Sequence, residues 1–309
     1  MRHRLRIRSA VPAAALLVLL AGLAGCANPG GVDGDLVGGW AAVPAPTGFE
    51  PNPGTCHLGN YSPAGTRSTY DEVDCALNHR TETVYVGGYA SPAADADSPP
   101  VDGSAAAQDA YRTCDIRTTE YVGGQWRNAR LWIGVTNPSP AAWIGGARWF
   151  RCDVLEITSI EDDGGLVQRV GSLKNALREP HSPLTLGCYA IQLDKAGMID
   201  TMPAAACTGR HNAEYVGLWY AGSTASYPKA DRQWTAFHAG CREAVASYVG
   251  VPDDADLQYR TGVVSLPGGA DVWAQGDHAV RCYLWLNGSS ITGSLKDKGA
   301  PALPVRYND

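Results

Sequence analysis

A short motif, Cys-x3-His-x2-Glu, occurs twice in this chain and constrains its fold more than any other feature. Its residues are Cys75, His79 and Glu82 in one occurrence and Cys207, His211 and Glu214 in the other. Further matches surround both occurrences in the same order: Cys56 and Cys188, Cys114 and Cys241, Trp143 and Trp273, Arg151-Cys152 and Arg281-Cys282, and Gly-Ser-Leu-Lys at 171–174 and 293–296. Such an ordered series indicates an internal repeat of roughly 120 residues, the size of a small domain.

The repeat defines the predicted organisation of the chain. The predicted segments are a signal peptide at 1–25, a Gly-, Pro- and Ala-rich tether at 26–53, a module at 54–178, a linker at 179–185, a module at 186–299 and a tail at 300–309. We call the two modules the first repeat and the second repeat. Each is long enough to enclose a hydrophobic core of its own.

Residues 1–25 have the features of a bacterial export signal. Arginines precede an apolar stretch at 11–20, which is too short and too alanine-rich for a membrane span. The segment ends in Leu23-Ala24-Gly25-Cys26, which resembles a lipobox, where the cysteine receives a diacylglycerol and acyl chains such as palmitate are attached. The alternative is an ordinary secretory signal with an incidental cysteine. We expect lipid on Cys26 to anchor the chain to the outer face of the cell membrane.

Charge excludes one class of partner. The chain has 25 basic and 31 acidic residues, a net charge of −6, and the part that follows the arginine-rich signal is more acidic still. Binding along a nucleic-acid backbone needs clustered lysine and arginine. We therefore expect no nucleic-acid partner.

Cysteine usage predicts disulfides. Apart from Cys26 the chain has an even set of cysteines, and cysteines of exported proteins are mostly oxidised. Four cysteines in one repeat allow three connectivities. The matched spacing favours Cys56–Cys75, Cys114–Cys152, Cys188–Cys207 and Cys241–Cys282.

Local patterns predict an α+β fold, with roughly ββαββ order in each repeat. Residues 83–89, 130–135, 149–157, 258–266 and 279–286 have strand character, and Ser104 is a candidate N-cap for a helix at 105–117. A helical stripe in the second repeat consists of Trp234, Phe237, Cys241, Val245 and Tyr248. Each helix is expected to end at a Tyr-Val-Gly, where glycine can adopt a positive φ. The pattern predicts a small antiparallel sheet with one packed helix in each repeat.

The paired histidines and glutamates allow three interpretations. Cys, His and Glu can all bind zinc, and a histidine oriented by a glutamate can act as a general base. The favoured interpretation is structural, with each pair bonded to backbone and to Arg151 or Arg281. A disulfide would remove the thiolate that zinc needs, and we expect neither a metal nor a cofactor. Trp143 and Trp273 are expected to be core or loop anchors rather than sugar platforms.

The whole series of matched residues resembles the septum formation domain family of actinobacterial envelope proteins. The resemblance covers nearly all of 54–299, as two tandem copies. It implies a cell-surface role linked to division septa or wall assembly, and it implies no reaction. His79, Glu82, His211, Glu214, Trp143 and Trp273 correspond to the family pattern without an assigned role.

Two function classes remain open at the level of sequence. One is a non-enzymatic envelope module that binds another envelope protein or a wall polymer. The other is an enzyme acting on wall or lipid through His79 or His211. Exposure of these histidines distinguishes the two, because a catalytic base must reach its substrate.

Overall fold

The computed structural model describes residues 48–65, 70–162 and 164–307, and Gly48–Asp309 form one compact unit. The predictions for the signal peptide, for Cys26 and for most of the tether lie outside the described residues. Among the helices in the described ranges, none has the length and apolar character needed to cross a membrane. The boundaries proposed for the repeats and the linker stay predictions.

Both repeats contain strands and helices. The strands are β1 Cys56–His57, β2 Ala64–Gly65, β3 Glu72–Val73, β4 Thr81–Gly88, β5 Leu131–Pro138, β6 Trp149–Glu156, β7 Cys188–Tyr189, β8 Gln192–Leu193, β9 Ile199–Thr201, β10 Ala204–Ala205, β11 Arg210–His211, β12 Ala213–Tyr220, β13 Gly262–Pro267, β14 Ala279–Trp285 and β15 Ile291–Thr292. The helices are α1 Ala105–Val122, α2 Pro140–Ile144, α3 Asp231–Val249, α4 Ala270–Ala274 and α5 Gly299–Ala302. This content confirms the predicted α+β class.

Each repeat contributes one principal sheet. The strand order is β2-β5-β6-β4-β1-β3 in the first repeat and β10-β7-β12-β14-β13 in the second. All pairs in these sheets are antiparallel except β2 with β5, which is parallel. The three long strands occupy equivalent places: β4, β6 and β5 correspond to β12, β14 and β13. Equivalent strands, β4 and β12, therefore carry the two glutamates, Glu82 and Glu214.

The two long helices begin and end on local signals. The Ser104 side chain accepts a hydrogen bond from the backbone of Ala107 at the start of α1. Gly123 and Gly250, with φ of 81° and 83°, end α1 and α3 in the left-handed region. The helix predicted at 105–117 is longer in the structure and ends at Val122, because buried Thr118 and Val122 continue its inner face. The strand predicted at 258–266 begins only at Gly262, because residues 257–259 form a 3-10 turn.

Disulfides attach the other elements to the sheets. The four bonds join Cys56 to Cys75, Cys114 to Cys152, Cys188 to Cys207 and Cys241 to Cys282, which are the favoured pairs. The second bond links α1 to β6, and the fourth links α3 to β14. Both lie inside the apolar clusters between helix and sheet. Closing loops of this length stabilises a folded chain by about 3–4 kcal/mol each in a chain-entropy treatment.

The repeats also contact each other through buried polar groups. Arg127 pairs with Asp277 across the boundary, with N–O distances of 2.8–3.1 Å. The Tyr111 hydroxyl donates to the same carboxylate at 2.9 Å. Tyr283 of the second repeat donates to Glu161 of the first at 2.6 Å. These contacts fix the helix-free face of the second sheet against the first repeat.

Candidate functional site

The His–Glu motif of the first repeat is buried where three chain segments meet. Glu82 lies on β4 opposite Cys56 of β1, and the Cys56–Cys75 disulfide closes the turn before it. His79 makes an antiparallel backbone bridge with Arg169. Both side chains are fully enclosed, with 0% and 1% of their surface exposed. The disulfide and the bridge therefore hold the pair inside the protein.

Every oxygen of the Glu82 carboxylate is occupied. Oε1 accepts from the Leu173 backbone N–H at 2.7 Å and lies 3.1 Å from His79 Nε2. Oε2 accepts from the hydroxyls of Ser172 and Tyr121 at 2.8 and 3.1 Å. His79 Nδ1 lies 2.8 Å from the carbonyl of Leu77, which can only accept, so this nitrogen carries a proton. We call His79, Glu82, Tyr121 and Ser172 the first His–Glu cluster.

The second repeat builds the same arrangement. Its members are His211, Glu214, Tyr248 and Ser294, the second His–Glu cluster, joined by the Leu295 backbone N–H. The contacts to Glu214 measure 2.7–2.8 Å from the three neutral donors and 3.2 Å from His211 Nε2. Nδ1 of His211 lies 3.0 Å from the carbonyl of Gly209. These contacts correspond atom by atom in the two repeats, and in the first repeat Arg169 Nε also lies 4.0 Å from Glu82 Oε1.

The tyrosines of both clusters act as hydrogen-bond donors. Burial raises the pKa of Tyr121 to about 12, and burial raises the pKa of Tyr248 as well. Their phenols are therefore protonated well beyond neutral pH and donate to the carboxylates. Ser172 and Ser294 lie in the Gly-Ser-Leu-Lys segments that close the two repeats. Those segments thus complete the carboxylate's hydrogen bonding.

Atoms that could bind a metal lie close together in both repeats, but one of them, the cysteine sulfur, is part of a disulfide. Sulfur, nitrogen and oxygen of Cys56, His79 and Glu82 lie within 4.8 Å of one another, and Cys188, His211 and Glu214 are arranged alike. Both cysteines are in disulfides, so neither offers the thiolate that zinc requires. The histidine and glutamate already bond each other. The donor set therefore does not fit a structural zinc site in the oxidised protein.

A catalytic role for either histidine meets a geometric obstacle. Both ring nitrogens of His79 and of His211 face protein acceptors, and neither imidazole is exposed. A surface depression of about 360 Å³ is lined in part by His211, yet its side chain remains 0% exposed. A general base must lie within hydrogen-bond reach of its substrate. These imidazoles do not reach solvent.

The predicted partners of the pairs, Arg151 and Arg281, were wrong. Arg151 pairs with Asp153, with nitrogen–oxygen distances of 2.8–2.9 Å. Arg281 donates from Nε to the backbone carbonyl of Arg127 at 3.0 Å. Arg151 and Asp153 are two residues apart on β6, and side chains at that spacing share a face of a strand. The strand pattern therefore contained a signal for this pair that the prediction did not use.

A buried polar network occupies the helix-free face of the first sheet. Asp153 accepts from Thr83 at 3.0 Å, lies 2.9 Å from Thr136 Oγ1, and pairs with Arg151. Thr83 also lies 2.8 Å from His57 Nε2. Burial, assisted by the nearby Arg151 charge, lowers the pKa of His57 to about 4, while burial raises the pKa of Asp153. His57, Thr83, Thr136 and Asp153 were not singled out from the sequence.

Trp143 and Trp273 are core anchors, as expected. Trp143 is fully buried, and its indole N–H donates to the carbonyl of Ala96 at 2.7 Å. Trp273 is 6% exposed and donates to the carbonyl of Ala225 at 2.9 Å. Each tryptophan lies on a short helix, α2 or α4, and its hydrogen bond ties that helix to a preceding loop. Neither ring presents a face to a ligand.

These features define a class: a disulfide-bonded α+β protein whose two repeats each enclose a hydrogen-bonded His–Glu pair. The septum formation family model matches residues 53–282, and the chain belongs to this family. The match indicates a role in cell division or in the cell envelope. The chain matches no curated protein and no solved structure at a significant level.

Proposed function

We propose that this protein is lipid-anchored through Cys26 on the extracytoplasmic face of the cell membrane. There it acts in septum formation or wall assembly by binding another envelope protein or a wall polymer, and not by catalysis. Family membership supports the setting. The four disulfides are compatible with an oxidising, extracytoplasmic compartment.

The observation that carries the non-catalytic part is the saturation of both His–Glu clusters. Each carboxylate bonds a backbone N–H, two hydroxyls and an imidazole inside the core. Such groups hold segments together and have no free position for a substrate proton. Their repetition in two places also suits a scaffold, since one catalytic centre would need only one.

Variants of the clusters test this part. His79→Ala and His211→Ala should fail to complement a deletion strain only to the extent that they lower the amount of folded protein. The measurements are thermal melts of the purified variants beside septum morphology in the complemented cells. A variant that melts like the parent and accumulates normally, yet fails to complement, would instead assign the histidine a direct function.

Fractionation tests the anchor. Cys26→Ser should move the protein from the membrane fraction to the soluble extracytoplasmic fraction, because the lipid is the proposed attachment. The parent chain processed in parallel is the control. Retention of Cys26→Ser in membranes after high-salt and carbonate washes would show that another segment or a partner holds it there.

A further inference from the structure

A cleft of about 690 Å³ opens between the two repeats, away from the His–Glu clusters. This size is within the range of small-molecule and cofactor sites. The first repeat contributes Tyr61, Trp132 and Arg127 to its walls, and the second contributes Tyr227, Asp277 and Arg281. We call it the inter-repeat cleft. A smaller cavity of about 210 Å³ shares Tyr61 and Trp132 with it, so these two rings line both spaces.

The aromatic wall of the inter-repeat cleft is held in a fixed position. Tyr61 and Trp132 meet edge to face, with ring centroids 4.7 Å apart, and the Tyr61 hydroxyl donates to the Val135 carbonyl at 2.8 Å. Gly134 makes this approach possible, because a Cβ there would lie 2.1 Å from the Tyr61 ring. Both rings remain partly exposed. They form a preorganised apolar surface before any ligand arrives.

The Trp132 indole has an unused donor. Two other aromatics of the cleft already use their donors, since Trp126 donates to Asp115 and Tyr111 donates to Asp277. Within the described part of the chain, the Trp132 N–H has no hydrogen-bond acceptor. Indole combines a flat apolar face with one polar edge. It can therefore stack on a ligand and also hydrogen-bond to it.

The charged groups of the cleft balance one another. Two guanidinium groups, of Arg127 and Arg281, line it together with two carboxylates, of Asp277 and Glu161. Arg127 and Asp277 form an ion pair at 2.8 Å, and Glu161 accepts from Tyr283. Among the described residues, no carboxylate lies within ion-pair distance of Arg281. The cleft thus offers several donors and acceptors with little net charge to attract an ionic ligand.

From the aromatic wall and the balanced charges we infer that the inter-repeat cleft binds an uncharged oligosaccharide. A sugar ring presents apolar C–H faces to Tyr61 and Trp132, while its hydroxyl groups both donate and accept. A purely apolar segment would remove water from four charged side chains, one of which, Arg281, has no carboxylate within ion-pair distance among the described residues, and would offer them no hydrogen bonds in return. The inference deepens the proposed function, because it names a wall-type glycan as the polymer and rests on a binding role.

The test is titration of the purified full chain with chitotetraose, an uncharged N-acetylglucosamine oligosaccharide. We expect saturable binding, seen by calorimetry and tryptophan fluorescence, with a Kd between about 1 µM and 1 mM. Trp132→Ala should weaken binding at least about tenfold, equal to about 1.4 kcal/mol. Trp132→Phe should retain most of it. Trp285→Ala is the matched control, because Trp285 lies outside the cleft and its loss should leave Kd unchanged.

Salt and cellular readouts complete the design. Raising the salt concentration should leave the Kd for chitotetraose nearly unchanged, because screening weakens only charge-driven contacts. The inference is overturned if chitotetraose does not bind, if only acidic glycans bind in a salt-sensitive way, or if Trp132→Ala binds like the parent while remaining folded. If Trp132→Ala loses chitotetraose but complements fully, the site stands and the wall-polymer role in septum formation fails.

Discussion

The two repeats agree at their His–Glu clusters and differ on the adjoining helix-free faces of their sheets. The differing residues occupy matched positions beside the same cysteines and glutamates. They are His57, Thr83 and Asp153 in the first repeat and Tyr189, Tyr215 and Tyr283 in the second. The first set is a polar network around a buried carboxylate. The second is an aromatic cluster with ring centroids 5.4 Å apart.

This comparison distinguishes the residues that the shared fold requires from the residues that depend on what each repeat packs against. The His–Glu cluster is present in both repeats because the elements that it joins recur. These elements are a long strand (β4 or β12), the end of a long helix and the Gly-Ser-Leu-Lys segment. The opposite face has a different neighbour in each repeat. In the second it packs on the first repeat, where Tyr283 bonds Glu161 and Tyr215 bonds Asn128. In the first repeat this face is covered by residues 58–65, and the backbone carbonyl of Ser62 accepts a hydrogen bond from the Thr136 hydroxyl.

The largest expected effect tests the agreement. Glu82→Ala and Glu214→Ala should each lower the free energy of unfolding by about 3–5 kcal/mol, because each leaves a buried imidazole and a backbone N–H without their acceptor. Chemical denaturation measures this. Glu120→Ala, at an exposed glutamate on α1, is the control and should change stability little. A large inequality between the two cluster variants would contradict their equivalence.

The polar network should make the first repeat sensitive to acid. Because the pKa of His57 falls from about 6.5 unfolded to about 4 folded, the unfolded chain binds more protons between these values. Stability is therefore present above about pH 6.5 and is lost as pH falls toward 4, by about 3 kcal/mol.

Denaturation of the parent and of His57→Gln across this pH range measures the effect as a difference. The variant should lose less stability on acidification, although the raised pKa of Asp153 contributes with opposite sign in both proteins. Tyr189→Phe in the second repeat is the matched control and should follow the parent's pH dependence. Parallel curves for parent and His57→Gln would rule out His57 as the source.

Helix ends provide a smaller comparison. Gly123→Ala and Gly250→Ala should each cost about 1–2 kcal/mol, because alanine is strained at the positive φ that both positions adopt. Gly123→Ala should cost more, since its added Cβ would lie 3.3 Å from Arg178 while the one at Gly250 meets nothing within 4 Å. Thermal melts of both variants measure the difference. Equal costs would show that the segment at Arg178 shifts to accommodate the added Cβ without a measurable loss of stability.

The smallest effect concerns the contact between repeats. Tyr283→Phe should cost about 1 kcal/mol, the usual net value of one hydrogen bond, because Glu161 keeps its contacts with Ser159 and Ile160. Thr136→Val in the first repeat should cost more, because it removes a partner of fully buried Asp153. Denaturation of both variants measures the contrast. A larger loss of stability from Tyr283→Phe than from Thr136→Val would contradict the conclusion that the polar network of the first repeat contributes more than this single contact between repeats.

Much of the scaffold could be predicted from the sequence because its signals are local or repeated. The matched spacing of cysteines favoured the four disulfide pairs that the structure contains. Ser104 and the Tyr-Val-Gly segments marked helix ends, since capping depends on neighbouring residues. The repeated Cys-x3-His-x2-Glu motif correctly pointed to an equivalent pair in each repeat. Trp143 and Trp273, at equivalent places in the two repeats, were expected to be core or loop anchors and are buried.

Only the tertiary structure decided which polar groups distant in sequence meet. Glu82 bonds Ser172 and Leu173, about ninety positions later, and not Arg151. The inter-repeat cleft combines Trp132 with Arg281, whose separation in sequence is greater still. A sequence specifies donors, acceptors and charges, but their partners depend on how strands, helices and closing loops stack. Short-range patterning therefore determined the elements and disulfides of this protein, and long-range packing decided which distant groups complete the His–Glu clusters and line the inter-repeat cleft.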